Sequence, residues 1–144
     1  ISDRQGELLR RPVVNALMSV LNLVAHPSSK FAAISFARSP ISGLNDDQIH
    51  QIFSKNDESK NWWPIIEQGI PSEKGKLLVN HLSKLASKGA VHEVFDVVLD
   101  HSDLLMAYPD DTSRQNAELW CSLVYNIGSE YGHDATEIYS HLQS

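Results

Sequence analysis

Two groups of titratable side chains stand at helical spacing: His92, Asp96 and Asp100 in one segment, and His133, Glu137 and His141 near the C-terminal end. Residues four apart share a helix face, and imidazole with carboxylate is a donor set for a divalent cation, so a metal-dependent enzyme is one reading. Against it, these side chains lie opposite the apolar positions of their helices, and neither an HExxH pattern nor a neighbouring cysteine completes a ligand set. A solvated polar face accounts for them, and no metal ligand is assigned. A second candidate is GIPSEKGKL, residues 69–77, which has the look of a phosphate-binding loop. A P-loop needs four residues between its glycines and a Ser or Thr after the Lys to hold Mg²⁺; here five residues separate Gly69 from Gly75, and Leu77 follows Lys76. It is better read as the start of a helix with solvated lysines. Serine and histidine are abundant, yet no nucleophile, base and orienting acid fall into a triad, so no catalytic or nucleotide-binding residue is assigned.

Two other features point to contact rather than reaction. Trp62 and Trp63 adjoin Ile65 and Ile66, and two adjacent indoles do not both point inward along one narrow helical stripe. Either a bent loop packs both in the core or one faces a surface covered by another domain or protein, and Trp62 and Trp63 are the candidate partner contacts. Positive charge is grouped at Arg10 and Arg11, at Lys30 and Arg38, and at Lys74, Lys76, Lys84 and Lys88. These are the candidate phosphate contacts, against which stands a scattered solvated surface, and without aromatic rings interleaved among the lysines the case for single-strand readout is weak. The formal net charge is −6 and the isoelectric point about 5.5, so the long-range field repels nucleic acid and any such contact needs a local basic patch. Cys121 stands alone in an apolar pattern, which excludes an internal disulfide and fits a buried, inert thiol in the reducing cytoplasm.

The elements that position these residues read as helix after helix. Pro12 suits a first turn, and Val13, Ala16, Leu17, Val20, Leu21 and Val24 then recur at helical spacing with only Asn15, Ser19 and Asn22 as a polar edge. A helix apolar over most of its circumference must be covered on several sides, which predicts the centre of a core. His26-Pro27 separates it from a second apolar helix that closes at SPISGL, residues 39–44. Asn45 with Gln48 has capping-box spacing, flanked by Leu44 and Ile49 as a hydrophobic staple. Pro64 is tolerable only in a first turn, and Gly69 is expected to stop that helix. Ser72 caps the next, which places Leu77, Leu78, His81, Leu82 and Leu85 on one face and stops at Gly89. Val91, Val94, Phe95, Val98 and Leu99 follow the amphipathic template fully. Thr112 with Gln115 is expected to cap a long helix with Leu119, Trp120, Leu123, Val124, Ile127 and Tyr131 on its stripe. Asp134 with Glu137 caps the last, which carries Ile138, Tyr139 and Leu142. No segment alternates with period two, so the expected fold is all-α, a compact bundle of about seven to nine helices. The length of 144 residues with 42% hydrophobic content suits one domain over residues 1–144. No apolar run approaches the roughly 20 residues of a membrane span, and no membrane partner is expected. The absence of an initiator Met is expected of an excised segment.

The order of these motifs resembles the helical insertion, called the 2B subdomain, of superfamily 1 DNA helicases in the manner of the UvrD-like, RecB and AddA enzymes. In that family a helix ending in N/H-P is followed by one ending in R-S-P-I/L, then G, L/F, S/N and two acids. The matching residues are 13–27 and then Arg38, Ser39, Pro40, Ile41, Gly43, Leu44, Asn45, Asp46 and Asp47. Arg114, Asn116, Ala117, Leu119 and Trp120 are similar to a later family helix and residues 135–142 to the one after it, whereas residues 55–101 match only as generic helices. The resemblance implies a non-catalytic accessory domain, with residues 1–10 as the tail of a preceding RecA-like domain. The parent would be an ATP-dependent helicase and exonuclease acting in double-strand-break repair, with ATP and Mg²⁺ held by its motor domains and no cofactor on this chain. Implied partners are those RecA-like motor domains, duplex DNA and a partner subunit of a helicase-nuclease complex. Arg38, Lys84 and Lys88 are then the candidate DNA contacts. A free-standing α-helical protein-interaction module is the alternative.

Overall fold

The structure, a computed structural model, describes residues 3–143. Its elements are α1 (Asp3–Leu8), α2 (Pro12–Ala25), α3 (Lys30–Ala37), α4 (Asp46–Ser54), α5 (Trp63–Gly69), α6 (Glu73–Ser87), α7 (Val91–His101), α8 (Leu104–Ala107), α9 (Asp111–Tyr131) and α10 (Ala135–Gln143). The fold is all-α, and the ten helices among the described residues exceed the expected seven to nine through the short α1 and α8. Residues 1 and 2 of the expected N-terminal tail lie outside the described residues; residues 3–8 form α1. No helix of the described residues is long and apolar enough to cross a membrane.

α2 is the centre of the core, as its nearly unbroken apolar circumference requires. It packs against α3, α7, α8, α9 and α10. Leu17, Val20, Leu21 and Leu23 are wholly buried, each contributing roughly 1.5–3 kcal/mol by leaving water. Its one buried polar side chain, Ser19, donates its hydroxyl proton to the Ala16 carbonyl at 2.6 Å. A circuit of packed helices runs from α2 to α3, from α3 to α5, from α5 to α6, from α6 to α7 and back to α2. Phe95 of α7 meets Trp120 of α9 edge-on, with ring centroids 4.7 Å apart.

Caps set most boundaries. The Asn45 side chain accepts from the Gln48 N–H while the Gln48 side chain accepts from the Asn45 N–H, each at 2.9 Å, a complete capping box. Ser72 accepts from the Gly75 N–H to start α6. Gly89, at φ +72°, ends it, with the Gly89 N–H on the Ala86 carbonyl and the Ala90 N–H on the Leu85 carbonyl. Asp134 accepts from the Thr136 N–H at the start of α10.

Two expectations are corrected. α9 is capped by Asp110, not Thr112: its carboxylate accepts from the Ser113 N–H and hydroxyl, and those bonds hold its pKa below the ordinary value. The helix starts two residues earlier than expected, and its buried stripe is Ala117, Trp120, Val124 and Gly128, with Leu119 and Tyr131 exposed. On α6 the buried stripe is Val79, Leu82 and Leu85, while Leu77 is 69% exposed and His81 is exposed. The buried stripe keeps Leu82 and Leu85 of the expected face and is rotated toward Val79. α5 does end at Gly69, as expected, and the glycine has a further role there. A Cβ there would run into Ile52 of α4, so the glycine lets two helices approach closely.

Candidate functional site

The stretch that carries most of the family resemblance, residues 38–47, is a folded joint between α3 and α4. α3 ends at Arg38. The Ser39 hydroxyl donates to the Phe36 carbonyl at 2.7 Å, and the Ser42 hydroxyl donates to the Ala37 carbonyl at 2.6 Å while accepting from the Leu44 N–H. Ser39, Ile41 and Ser42 are buried. Gly43 supplies a positive φ of +69°, a conformation that side chains with a Cβ rarely adopt, and thereby turns the chain into the Asn45 cap. These serines satisfy the orphan carbonyls at the end of α3.

α3 itself buries Ala32, Ala33, Phe36 and Ala37 and turns Lys30, Phe31, Ile34, Ser35 and Arg38 outward. Its start is fixed by Ser29, whose side chain accepts from the Ala32 N–H. Phe31 is 77% exposed. A groove of about 570 Å³ runs along one side of this ridge, with Lys30, Ile34 and Arg38 on the α3 wall and Asp46, His50 and Phe53 on the α4 wall. On the other side a groove of about 350 Å³ carries Phe31 and Ser35 against Asn15, Asn22 and Tyr139. Neither Lys30 nor Arg38 forms an ion pair among the described residues.

Arg38 is therefore an exposed cation in a groove, but the structure pairs it with Lys30, not with the other two candidate DNA contacts. Lys84 and Lys88 lie on the last turn and C-cap of α6, both exposed, and line neither groove. The ring that accompanies the cations, Phe31, is missing from the sequence-derived set. Its signal is adjacency to Lys30, hidden because α3 is apolar on nearly every face.

Trp62 and Trp63 are both in the core, 0% and 2% exposed, which corrects their candidacy as surface contacts. They do not share one helical stripe because Trp62 sits at the N-cap of α5, outside its regular turns. Its N–H donates to the Pro27 carbonyl at 2.8 Å, its indole N–H donates to the Ser28 carbonyl at 3.3 Å, and its ring packs on Phe53. Trp63 turns the other way, onto Phe36. Pro27, at the bend after α2, is thus tied directly to the double tryptophan.

The histidine and carboxylate sets are engaged elsewhere. His92 lies 4.0 Å from Asp96 and packs on Tyr125, His133 also lies against that tyrosine, and His141 stacks on Tyr131 at 4.0 Å. Among the described residues no three His, Cys, Asp or Glu side chains are grouped so as to hold a metal ion. The stretch 69–77 is the start of α6: Gly75 packs against Ile70 and Ser72, and Lys74 reaches Asp103 at 3.4 Å in an exposed pair. A third groove, about 530 Å³, lies between α1 and α9, where Leu8, Leu119 and Leu123 are flanked by Arg4 and Arg11. Comparison of the chain with protein-family models, with curated proteins and with solved structures finds no match.

Proposed function

We propose that the chain is a non-catalytic accessory domain of the 2B type within an ATP-dependent DNA helicase and exonuclease. In this role it takes part in unwinding and double-strand-break repair by contact with duplex DNA or a partner subunit and by biasing the motor between two arrangements. The observation that carries the proposal is the fold of residues 38–47: of the residues matched to the family pattern, Ser39 makes a buried hydroxyl bond, Gly43 supplies the positive φ and Asn45 forms a complete capping box, with the unmatched Ser42 adding a second buried hydroxyl bond. They make a stiff joint, which is what a domain that transmits movement needs, and they leave no group for chemistry. ATP and Mg²⁺ belong, in this proposal, to RecA-like motor domains of the same polypeptide. The net charge of −6 favours conformational regulation over extensive phosphate contact.

The test is the reading frame around this segment together with the behaviour of the full-length product. Walker elements before the segment and ATP-coupling motifs after it support the proposal, as does DNA-dependent ATPase activity that is altered when the joint is loosened by Gly43→Val. A frame that encodes no motor motifs on either side overturns it. The second reading, a protein-interaction module, no longer rests on the tryptophans; the α1–α9 groove, with Leu119 59% exposed, is the observation that favours it.

A further inference from the structure

We infer that the groove between α1 and α9 is a docking site for an amphipathic helix of a partner protein, with the helix's apolar face on Leu8, Leu119 and Leu123 and its acidic flank on Arg4 and Arg11. This site gives the partner contact of the proposed function a place and a chemistry, and it rests on that reading for its setting. The groove holds about 530 Å³. Its α9 wall is one face of that helix: Asn116, Leu119, Leu123 and Asn126 recur at spacings of three and four, with Ser122 beside them. None of the charged residues of α9, which are Asp111, Arg114, Glu118 and Glu130, lines the groove. Leu119 is 59% exposed, and Leu8 and Leu123 are half-buried at the edge of the core. Exposed leucine among neutral amides and arginines is closer to the composition of a protein interface than to that of a solvated helix face, where lysine and carboxylates prevail.

Charge and length select the occupant. Arg4 and Arg11 are exposed, neither makes an ion pair among the described residues, and Glu7 is the one carboxylate that lines the groove with them. The local excess is positive in a chain that carries −6 overall, so an acidic flank is attracted to this face more than to the rest of the surface. A second copy seated groove to groove would set four arginines against two glutamates, which disfavours self-association here. A nucleic acid would satisfy the arginines and leave the leucine floor wet. From Asn116 to Asn126 the wall spans about 15 Å at about 1.5 Å per residue, close to three turns of helix. A helix of about that length, apolar at i, i+3, i+4 and i+7 and bearing Asp or Glu along one flank, fills a trough with two helical walls and covers Leu119.

The experiment is fluorescence anisotropy of the full chain with three labelled helical peptides of about twelve residues. The first carries leucines at i, i+3, i+4 and i+7 flanked by glutamates, the second has lysines for the glutamates, and the third has the acidic composition in scrambled order. The acidic helix binds, and the other two bind more weakly by about tenfold or more. Leu119→Asp weakens the acidic helix by about tenfold or more, whereas Leu119→Met retains it. Arg4→Glu with Arg11→Glu inverts the order of the acidic and lysine helices, which a purely structural role for the arginines does not produce. Leu77→Asp and Met106→Asp place the same charge on exposed apolar residues elsewhere and leave the affinity unchanged. All of these side chains are exposed, and an unshifted thermal transition in each variant separates lost docking from lost folding. Equal binding of the acidic and scrambled peptides, or no binding of the acidic one, overturns the inference and leaves the proposed function standing, because that is decided by the reading frame. Displacement of the peptide by a DNA duplex overturns it too, as does a dimer of the chain that Leu119→Asp abolishes. Selective binding of the acidic helix by a chain whose reading frame lacks motor motifs has the opposite sense: the groove stands and the helicase assignment falls.

Discussion

At the scale of single residues, Cys121 illustrates how environment decides reactivity. It is the only cysteine and lies half-buried on α9, where burial first, and the carboxylates of Asp96 and Glu118 after it, push its thiol from 9.0 up to about 12. The nucleophile is the thiolate, and at pH 8 a shift of that size lowers the thiolate fraction roughly a thousandfold. A thiol reagent is therefore expected to label the native chain about a thousand times more slowly than the urea-unfolded chain at pH 8, and comparable rates in the two states contradict the assignment. The same shift has a sign for stability. The folded pKa is raised, so the contribution is whole below about pH 9 and is lost as pH climbs toward 12, while the unfolded thiol ionises first. Two other residues retain an unspent group: the indole N–H of Trp63 and that of Trp120 are buried without an acceptor, whereas Trp62 donates to Ser28. The double tryptophan therefore contributes by volume at one ring and by volume and anchoring at the other.

At the scale of elements, the approach of α4 to α5 depends on Gly69. Alanine is ordinarily better than glycine in a helix by about 0.5–1 kcal/mol, and the backbone of Gly69 is not left-handed. Here the sign reverses, because the added Cβ meets the side chain of Ile52, and overpacking of this kind costs about 1–3 kcal/mol. Urea denaturation of Gly69→Ala should show a loss, and Ile52→Val in the same chain should recover part of it as a positive coupling. A stabilised Gly69→Ala, or strict additivity, removes the close approach as the cause. Local chemistry of this sort divides what was legible in the sequence from what was not. The caps at Asn45 and Ser72, the turn at Gly89 and the buried face of α7 were legible because each is decided within a few residues. The Asp110 cap was hidden by a second capping pair two residues away. The buried face of α6 depends on where α5 and α7 lie, and leucine spacing does not contain that. α3 offered only Lys30 and Ser35 as a polar edge, so the outward turn of Phe31 followed chiefly from the packing of Ala32, Ala33 and Phe36 against the rest. Along α3, Lys30 and Arg38 were therefore legible and Phe31 was not.

At the scale of the whole molecule, one contiguous core joins residues from α2 through α10, and α2 contributes to most of its packing. The tryptophans report on opposite parts of it: Trp62 and Trp63 sit among α3, α4 and α5, and Trp120 sits between α7 and α9. If the core is a single cooperative unit, fluorescence of a chain holding only Trp120, of one holding only Trp62 and Trp63, and far-ultraviolet circular dichroism should give coincident transitions. Leu17→Ala, in the middle of α2, empties a site with no solvent exposure and should cost about 3–5 kcal/mol, a large share of the about 5–15 kcal/mol typical of a domain. Because α2 touches both halves, that loss should move all three transitions together. A shift confined to the Trp120 signal would divide the molecule into two units joined through α2, and it would deprive the joint at residues 38–47 of a rigid body to act on. Coincident shifts have the opposite meaning: force applied by a partner at α9 reaches the α3 ridge without an intervening soft element, which is the mechanical property an accessory domain must have.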